Sequence, residues 1–139
     1  MELVGCCLHG LRGTGGVEPA DRVLVMGGGP IGLIFGQLAK LMGASYVALT
    51  DVRPGRLALA KELGLDDAID VREMSLTERF DQYFDRVVVA NAVIKVAEEA
   101  VNLVRTGGHL LLFSGYVYGT RLDLDINTVH YREIHLHGS

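Results

Sequence analysis

Runs of β-branched and other apolar residues alternate, along the whole chain, with segments whose apolar positions recur every three or four residues. Arg22-Val23-Leu24-Val25-Met26 reads as a buried strand between Pro19-Ala20-Asp21 and a cluster of glycines. Ile31 to Leu41 then has helical spacing, with Pro30 at its first turn and Gly43 at its end. Tyr46–Thr50 predicts a second strand, Arg56–Leu63 a helix stopped by Gly64, and Ala68–Asp70 a short third strand. Ser75–Tyr83 predicts a helix with Ser75 as N-cap and Glu78 three residues on. The rhythm repeats with strand Arg86–Ala90, helix Ile94–Val104, a Thr106-Gly107-Gly108 turn and strand His109–Phe113. A polar segment, Ser114 to Asn127, leads through about one helical turn to a sixth strand, Glu133–His137. Before all of these, Leu3 to Arg12 predicts a lead-in helix with a glycine-rich exit.

Continuous apolar strands separated by helices imply a parallel sheet covered on both faces. Right-handed crossovers make it a doubly wound α/β fold. No repeat or low-complexity tract interrupts it, so residues 1–139 are predicted to be one domain, with 1–16 as its lead-in.

Composition narrows the classes. Apolar residues make up 49% and charged residues 22% of the 139, which argues against disorder. The net charge of −4 lacks the basic footprint of a nucleic-acid binder. The longest apolar stretch, Val23 to Leu38, is broken by five glycines and a proline and is too short to span a bilayer, so no membrane association is expected. Two adjacent cysteines, Cys6 and Cys7, do not suit a disulfide and point to a reducing, cytoplasmic setting as small buried residues. His109, after Gly-Gly, is expected to be exposed. His135 and His137 share a strand face but find no third ligand nearby in sequence.

Glycine is the outlier, with 18 residues against a usual share of about 7%. Six positions matter most: Gly27-Gly28-Gly29-Pro30-Ile31-Gly32 fits G-x-G-x-x-G, follows a strand directly and opens a helix. There Gly27 permits the turn, Gly29 lets backbone approach a pyrophosphate, and Gly32 lets helix pack on strand. Asp51, nineteen positions after Gly32, is placed to accept hydrogen bonds from the adenosine ribose and to repel a 2′-phosphate. This favours NAD over NADP, with Arg53 as the opposing charge. A methyltransferase loop would carry an acid where Val25 stands. The expected architecture is therefore a Rossmann fold, six parallel strands in the order 3-2-1-4-5-6.

With the loop in place, the chain resembles the cofactor domain of the zinc-type medium-chain alcohol and polyol dehydrogenases, sorbitol-dehydrogenase-like members above all, with threonine dehydrogenases as near neighbours. The stretches that carry the resemblance are Gly16–Val25, Gly29-Pro30-Ile31-Gly32-Leu33, Leu38-Ala39-Lys40, Glu62-Leu63-Gly64 and His130-Tyr131-Arg132-Glu133. The resemblance implies that Gly27 to Gly32 cradle the pyrophosphate, Asp51 holds the ribose and Arg56 lies beside the adenine. It also implies that Ala90 and Asn91 flank the middle of the cofactor, and that the backbone of Phe113, Ser114 and Gly115 faces the nicotinamide. Asn91-Ala92 departs from the family's usual Thr-Gly pair there. It further implies a hydride transfer between a polyol or secondary alcohol and NAD, with catalytic zinc held mostly by a domain N-terminal to this one. Glu2 matches an acid of that zinc shell, with Leu3 where the family has proline. The chain is expected to be the cofactor domain of a longer enzyme, without catalytic residues of its own, and to dimerise through the edge of the sixth strand. Two other readings remain: a non-enzymatic NAD-binding or assembly module, and a fragment of a zinc-independent quinone reductase.

Overall fold

In a computed structural model, which describes residues 2–139, α1 (Glu2–Gly13) precedes a regular alternation. The strands are β1 (Arg22–Met26), β2 (Tyr46–Asp51), β3 (Asp67–Asp70), β4 (Phe84–Val89), β5 (Val104–Leu112) and β6 (His135–Gly138). Between them lie α2 (Pro30–Leu41), α3 (Pro54–Glu62), α4 (Leu76–Phe80), α5 (Ile94–Leu103) and α6 (Ile126–Tyr131). All six strands are parallel, in the order β3-β2-β1-β4-β5-β6. Strand order therefore reverses between β1 and β4, where an open α/β sheet leaves a crevice at its carboxyl ends.

Alternate residues of each strand face opposite sides, which splits the apolar interior in two. Leu24, Met26, Ala48, Val87, Val89 and Leu110 pack against α4 and α5. Val23, Val25, Val47, Leu49, Val88 and Leu111 pack against α1, α2 and α3. The second layer depends on a close approach at Gly10 of α1, where an added Cβ would stand 3.2 Å from Leu111 and 3.3 Å from Phe113. On the α1 face of β4 Arg86 is buried. It donates to Asp21 at 2.5 Å, to the Thr14 hydroxyl at 3.2 Å and to the Thr14 carbonyl at 3.1 Å. Its neighbour Asp85 points to the other face and accepts from the Arg22 N–H and from Arg105.

Several boundaries differ from the sequence pattern. The predicted Gly107-Gly108 turn lies inside β5, as an irregularity in its pairing with β4. Glycine is needed there for proximity: a Cβ on Gly108 would stand 2.7 Å from Val104 and 3.0 Å from the Asp85 carbonyl, and Gly107 takes φ +76°. Helix α4 has Ser75 as its N-cap, accepting from the Glu78 N–H, yet stops at Phe80 rather than Tyr83. Gln82 takes φ +49°, and Phe80, Tyr83 and Phe84 gather around Tyr46, with Phe84 stacked on the Tyr46 ring. β4 consequently begins at Phe84, two residues before the predicted start. β6 begins at His135 because Glu133 adopts φ +51° as the chain leaves α6.

Two smaller expectations are also corrected. Cys7 is buried, but Cys6 lies on the exposed side of α1. His109 is half-buried, not exposed, because β6 adds its own histidines beside it. Nδ1 of His109 stands 2.8 Å from Nε2 of His137, and the His135 ring stacks on it at 4.6 Å. Among the described residues, no helix is long and apolar enough to cross a membrane.

Candidate functional site

The crevice at the reversal of strand order opens into a cavity of about 580 Å³. Its floor is the link between β1 and α2. Gly27 takes φ +117°, which favours glycine, and its N–H donates to the Thr50 carbonyl at 2.9 Å. A side chain on Gly32 is sterically forbidden, since its Cβ would fall 1.7 Å from the Gly27 carbonyl oxygen. Gly29, by contrast, has open space around it and stands as the N-cap of α2.

No side chain caps α2, and its first turn contains no acid. Gly29, Pro30 and Ile31 line the cavity, so the free N–H groups of this helix start, of which Pro30 supplies none, and the positive end of its dipole face it. An anionic group, above all a phosphate, fits such a helix start.

Asp51, the last residue of β2, forms the next wall. One carboxylate oxygen accepts from the Gly28 N–H at 2.8 Å and lies 3.4 Å from the Arg56 guanidinium. The other accepts from the N–H groups of Val52 and Arg53, at 2.7 and 2.9 Å. Burial pushes the Asp51 carboxyl up, but the N–H groups of Arg53, Gly28 and Val52 and the Arg56 guanidinium outweigh it. The net effect holds Asp51 below the usual carboxylate range, so it is an anion at neutral pH. A fixed carboxylate beside the glycine loop can receive vicinal hydroxyls and opposes a second anion at the same place.

Of the residues singled out from sequence, Gly27, Gly29, Pro30, Ile31, Asp51, Arg56, Ala90 and Asn91 line this one cavity, together with Arg53. Gly28 joins it through its bond to Asp51, and Gly32 lies behind the loop. The Phe113 side chain lies outside this lining. It packs edge-on against Phe35 at 4.7 Å and lines a second, apolar cleft of about 450 Å³ beneath α1, with Glu2, Cys6, His9 and Ser139. Ser114 and Gly115 follow it in the loop beyond β5, lining neither cavity.

Sequence reasoning missed the valines of the first cavity, Val52, Val71, Val93 and Val96, and missed Glu99. The position of Val71 directly after β3 was a usable signal, because strand carboxyl ends face the crevice. Val93, Val96 and Glu99 recur at helical spacing on α5, but the buried stripe of Ala97, Ala100 and Val101 dominates that helix's pattern.

Among the described residues, no group of three His, Cys, Asp or Glu side chains is set to hold a metal ion. Glu2 is exposed at the start of α1, so the side chains described do not by themselves make up a zinc site.

The six-stranded parallel sheet, with a glycine-linked helix start and an acid at the end of β2, defines a dinucleotide-binding fold of the Rossmann type. Within that class, residues 30–139 match the family model for zinc-binding dehydrogenases, and the chain belongs to this family. It is 34% identical to D-arabitol-phosphate dehydrogenase of Enterococcus avium, covering 99% of this chain and 41% of that protein. It is 33% identical to D-altritol 5-dehydrogenase of Agrobacterium fabrum, again over 99% and 41% of the two chains. With L-threonine 3-dehydrogenase of Chelativorans sp. it shares 32% identity, over 85% of this chain and 35% of the relative.

Among solved structures, a protein of Sinorhizobium meliloti described as a zinc-binding dehydrogenase, with NADP bound, superposes with a TM-score of 0.94. The two are 26% identical over 99% of this chain and 42% of that one. Galactitol-1-phosphate dehydrogenase of Escherichia coli gives a TM-score of 0.85 at 26% identity, over 99% and 41% of the two chains. The chain thus spans about two fifths of the length of the curated relatives it matches in full, and the shared part is their cofactor-binding fold.

Proposed function

We propose that the chain is the NAD(H)-binding domain of a dehydrogenase that moves a hydride between a polyol or secondary alcohol and NAD. The observation that carries this is the pairing of an uncapped α2 start with the fixed Asp51 carboxylate, within one cavity. Bound NAD supplies the hydride-accepting ring. The work of these residues is to hold the two phosphates at Gly29–Ile31, accept the ribose hydroxyls at Asp51 and flank the centre of the cofactor with Ala90 and Asn91. Zinc and the alcohol belong, in this reading, to the portion of the enzyme that the relatives have beyond the shared part, with Glu2 contributing to the zinc surroundings.

The anionic Asp51 favours NAD over NADP, since a 2′-phosphate would bring a second negative charge against it. Arg53 and Arg56 do not reverse this preference: Arg56 is already turned onto Asp51, and Arg53 supplies its backbone N–H to the same carboxylate. Titration with NADH and then NADPH, followed by nicotinamide fluorescence, tests the reading against a low background because the chain has no tryptophan. Saturable NADH binding with much weaker NADPH binding is expected. Equal affinity for the two would overturn the NAD assignment, and binding of neither would overturn the site.

Among the described residues the outer edge of β6 carries no strand partner, and Leu136 on it is exposed. Pairing of two such edges about a two-fold axis would close the sheet. Sedimentation of a concentration series tests the homodimer; a monomer persisting far above micromolar concentration would exclude it.

A further inference from the structure

The lining of the cavity includes a carboxylate, Glu99, that neither phosphate nor ribose accounts for. Val93 at the N-cap of α5 and Val96 and Glu99 within it, spaced three apart, line the cavity together with Val52, Arg53 and Val71 from the loops behind β2 and β3. Four valines, Val52, Val71, Val93 and Val96, give this lining an apolar share suited to a flat, weakly polar ring rather than to a sugar or phosphate.

Glu99 is half-buried and, among the described residues, its carboxylate has no hydrogen-bond or ion-pair partner. The contrast with its neighbour is informative. Glu98, on the adjoining face, accepts from the Asp123 N–H at 2.7 Å and pairs with Lys95 at 3.3 Å. Asp51, in the same cavity, has both oxygens engaged. Glu99 alone of these acids offers acceptor oxygens with nothing to receive. A partly buried carboxylate is costly unless a donor meets it, and a ring that displaces water from the cavity must supply that donor itself.

We propose that Glu99 accepts a hydrogen bond from the exocyclic amine of the cofactor's adenine, and so makes the cavity selective for a 6-aminopurine. This rests on the dinucleotide reading of the cavity. A hypoxanthine ring has the same outline but places a carbonyl oxygen where the amine was, setting acceptor against acceptor.

The test compares NADH with reduced nicotinamide hypoxanthine dinucleotide by fluorescence titration of the chain and of Glu99→Gln. The unaltered chain binds NADH about tenfold more tightly, the scale of one charge-assisted hydrogen bond. In E99Q, whose amide can serve as donor or acceptor, the two affinities come within about twofold. Equal affinities in the unaltered chain, or an undiminished preference in E99Q, would overturn the role of Glu99 while leaving the cavity a dinucleotide site. Failure of both dinucleotides to bind would overturn the site and this inference together.

Discussion

Asp51 ties the glycine loop, the start of α3 and Arg56 to one carboxylate. Replacing it removes an anion and leaves the Gly28, Val52 and Arg53 N–H groups without their acceptor. Asp51→Ala should weaken NADH binding by about 1–3 kcal/mol, roughly five- to 150-fold, the range for hydrogen bonds to charged groups. An affinity within twofold of the unaltered chain, measured by the same titration, would take Asp51 out of the ribose site. Gly32 gives a prediction of another kind. Its Cβ would overlap backbone, not a movable side chain, so Gly32→Ala forces the β1–α2 link apart. A loss of about 3 kcal/mol in urea unfolding is expected, together with loss of NADH binding. A variant with the parent's unfolding midpoint would show that the link adjusts freely.

The polar contacts at the amino ends of the central strands form a crossed pair: Asp21 before β1 holds Arg86 of β4, and Arg22 of β1 holds Asp85. Arg86 and Asp21 are both nearly buried, so removing one leaves the other without its opposite charge, with only the Thr14 contacts of Arg86 or the Glu18 N–H bond of Asp21 remaining. Arg86→Met alone should cost about 3–5 kcal/mol, and R86M combined with Asp21→Leu should recover much of it. Urea unfolding of the two variants decides this; a single variant as stable as the parent would show the pair to be dispensable.

The elements themselves were largely legible in sequence, because the central strands β1, β2 and β4 carry apolar runs and most helices have their own period. Legibility failed where the backbone obeyed proximity and not pattern. Gly107-Gly108 has the composition of a turn but serves a tight crossing within β5, and Glu133 looks like strand yet turns left-handed to leave α6. The site divided in the same way. The glycines and Asp51 announce themselves by spacing, whereas Val93, Val96 and Glu99 share a helix with a stronger buried stripe. The Phe113 ring, at the end of β5, is packed against Phe35 and lines the cleft beneath α1.

For the molecule as a whole, acid should loosen the β6 side of the sheet first. Burial lowers the His109 pKa from 6.5 to about 4, with Arg86, His135, His137 and Arg105 adding to the effect. His137 is lowered as well, by burial, His135 and Arg86. Arg86 is the β4 charge on this face and is itself bound to Asp21, while His135 and His137 come from β6. Because His109 prefers to be neutral when folded, its contribution to stability is complete above about pH 6.5. It falls away as the pH drops towards 4, where the folded protein must take up the proton. Amide protection in His135–Gly138 should therefore decline across that window while Val23–Val25 remain protected, and His109→Gln should flatten the decline. Uniform protection of both strands down to pH 4 would refute the assignment. If β6 is also the dimer contact proposed above, mild acid would separate subunits before the central strands open.

Cys6 and Cys7 are neighbours in sequence and opposites in environment. Cys6 is exposed beside the second cleft, while Cys7 is sealed in the interior with its thiol pushed up to about 11, by burial first and by Cys6 second. A neutral-pH thiol reagent should thus consume one equivalent at once and the second only when α1 lifts from the sheet. The unaltered protein carries both an attachment point for a probe at the rim of the second cleft and an internal clock for its own unfolding.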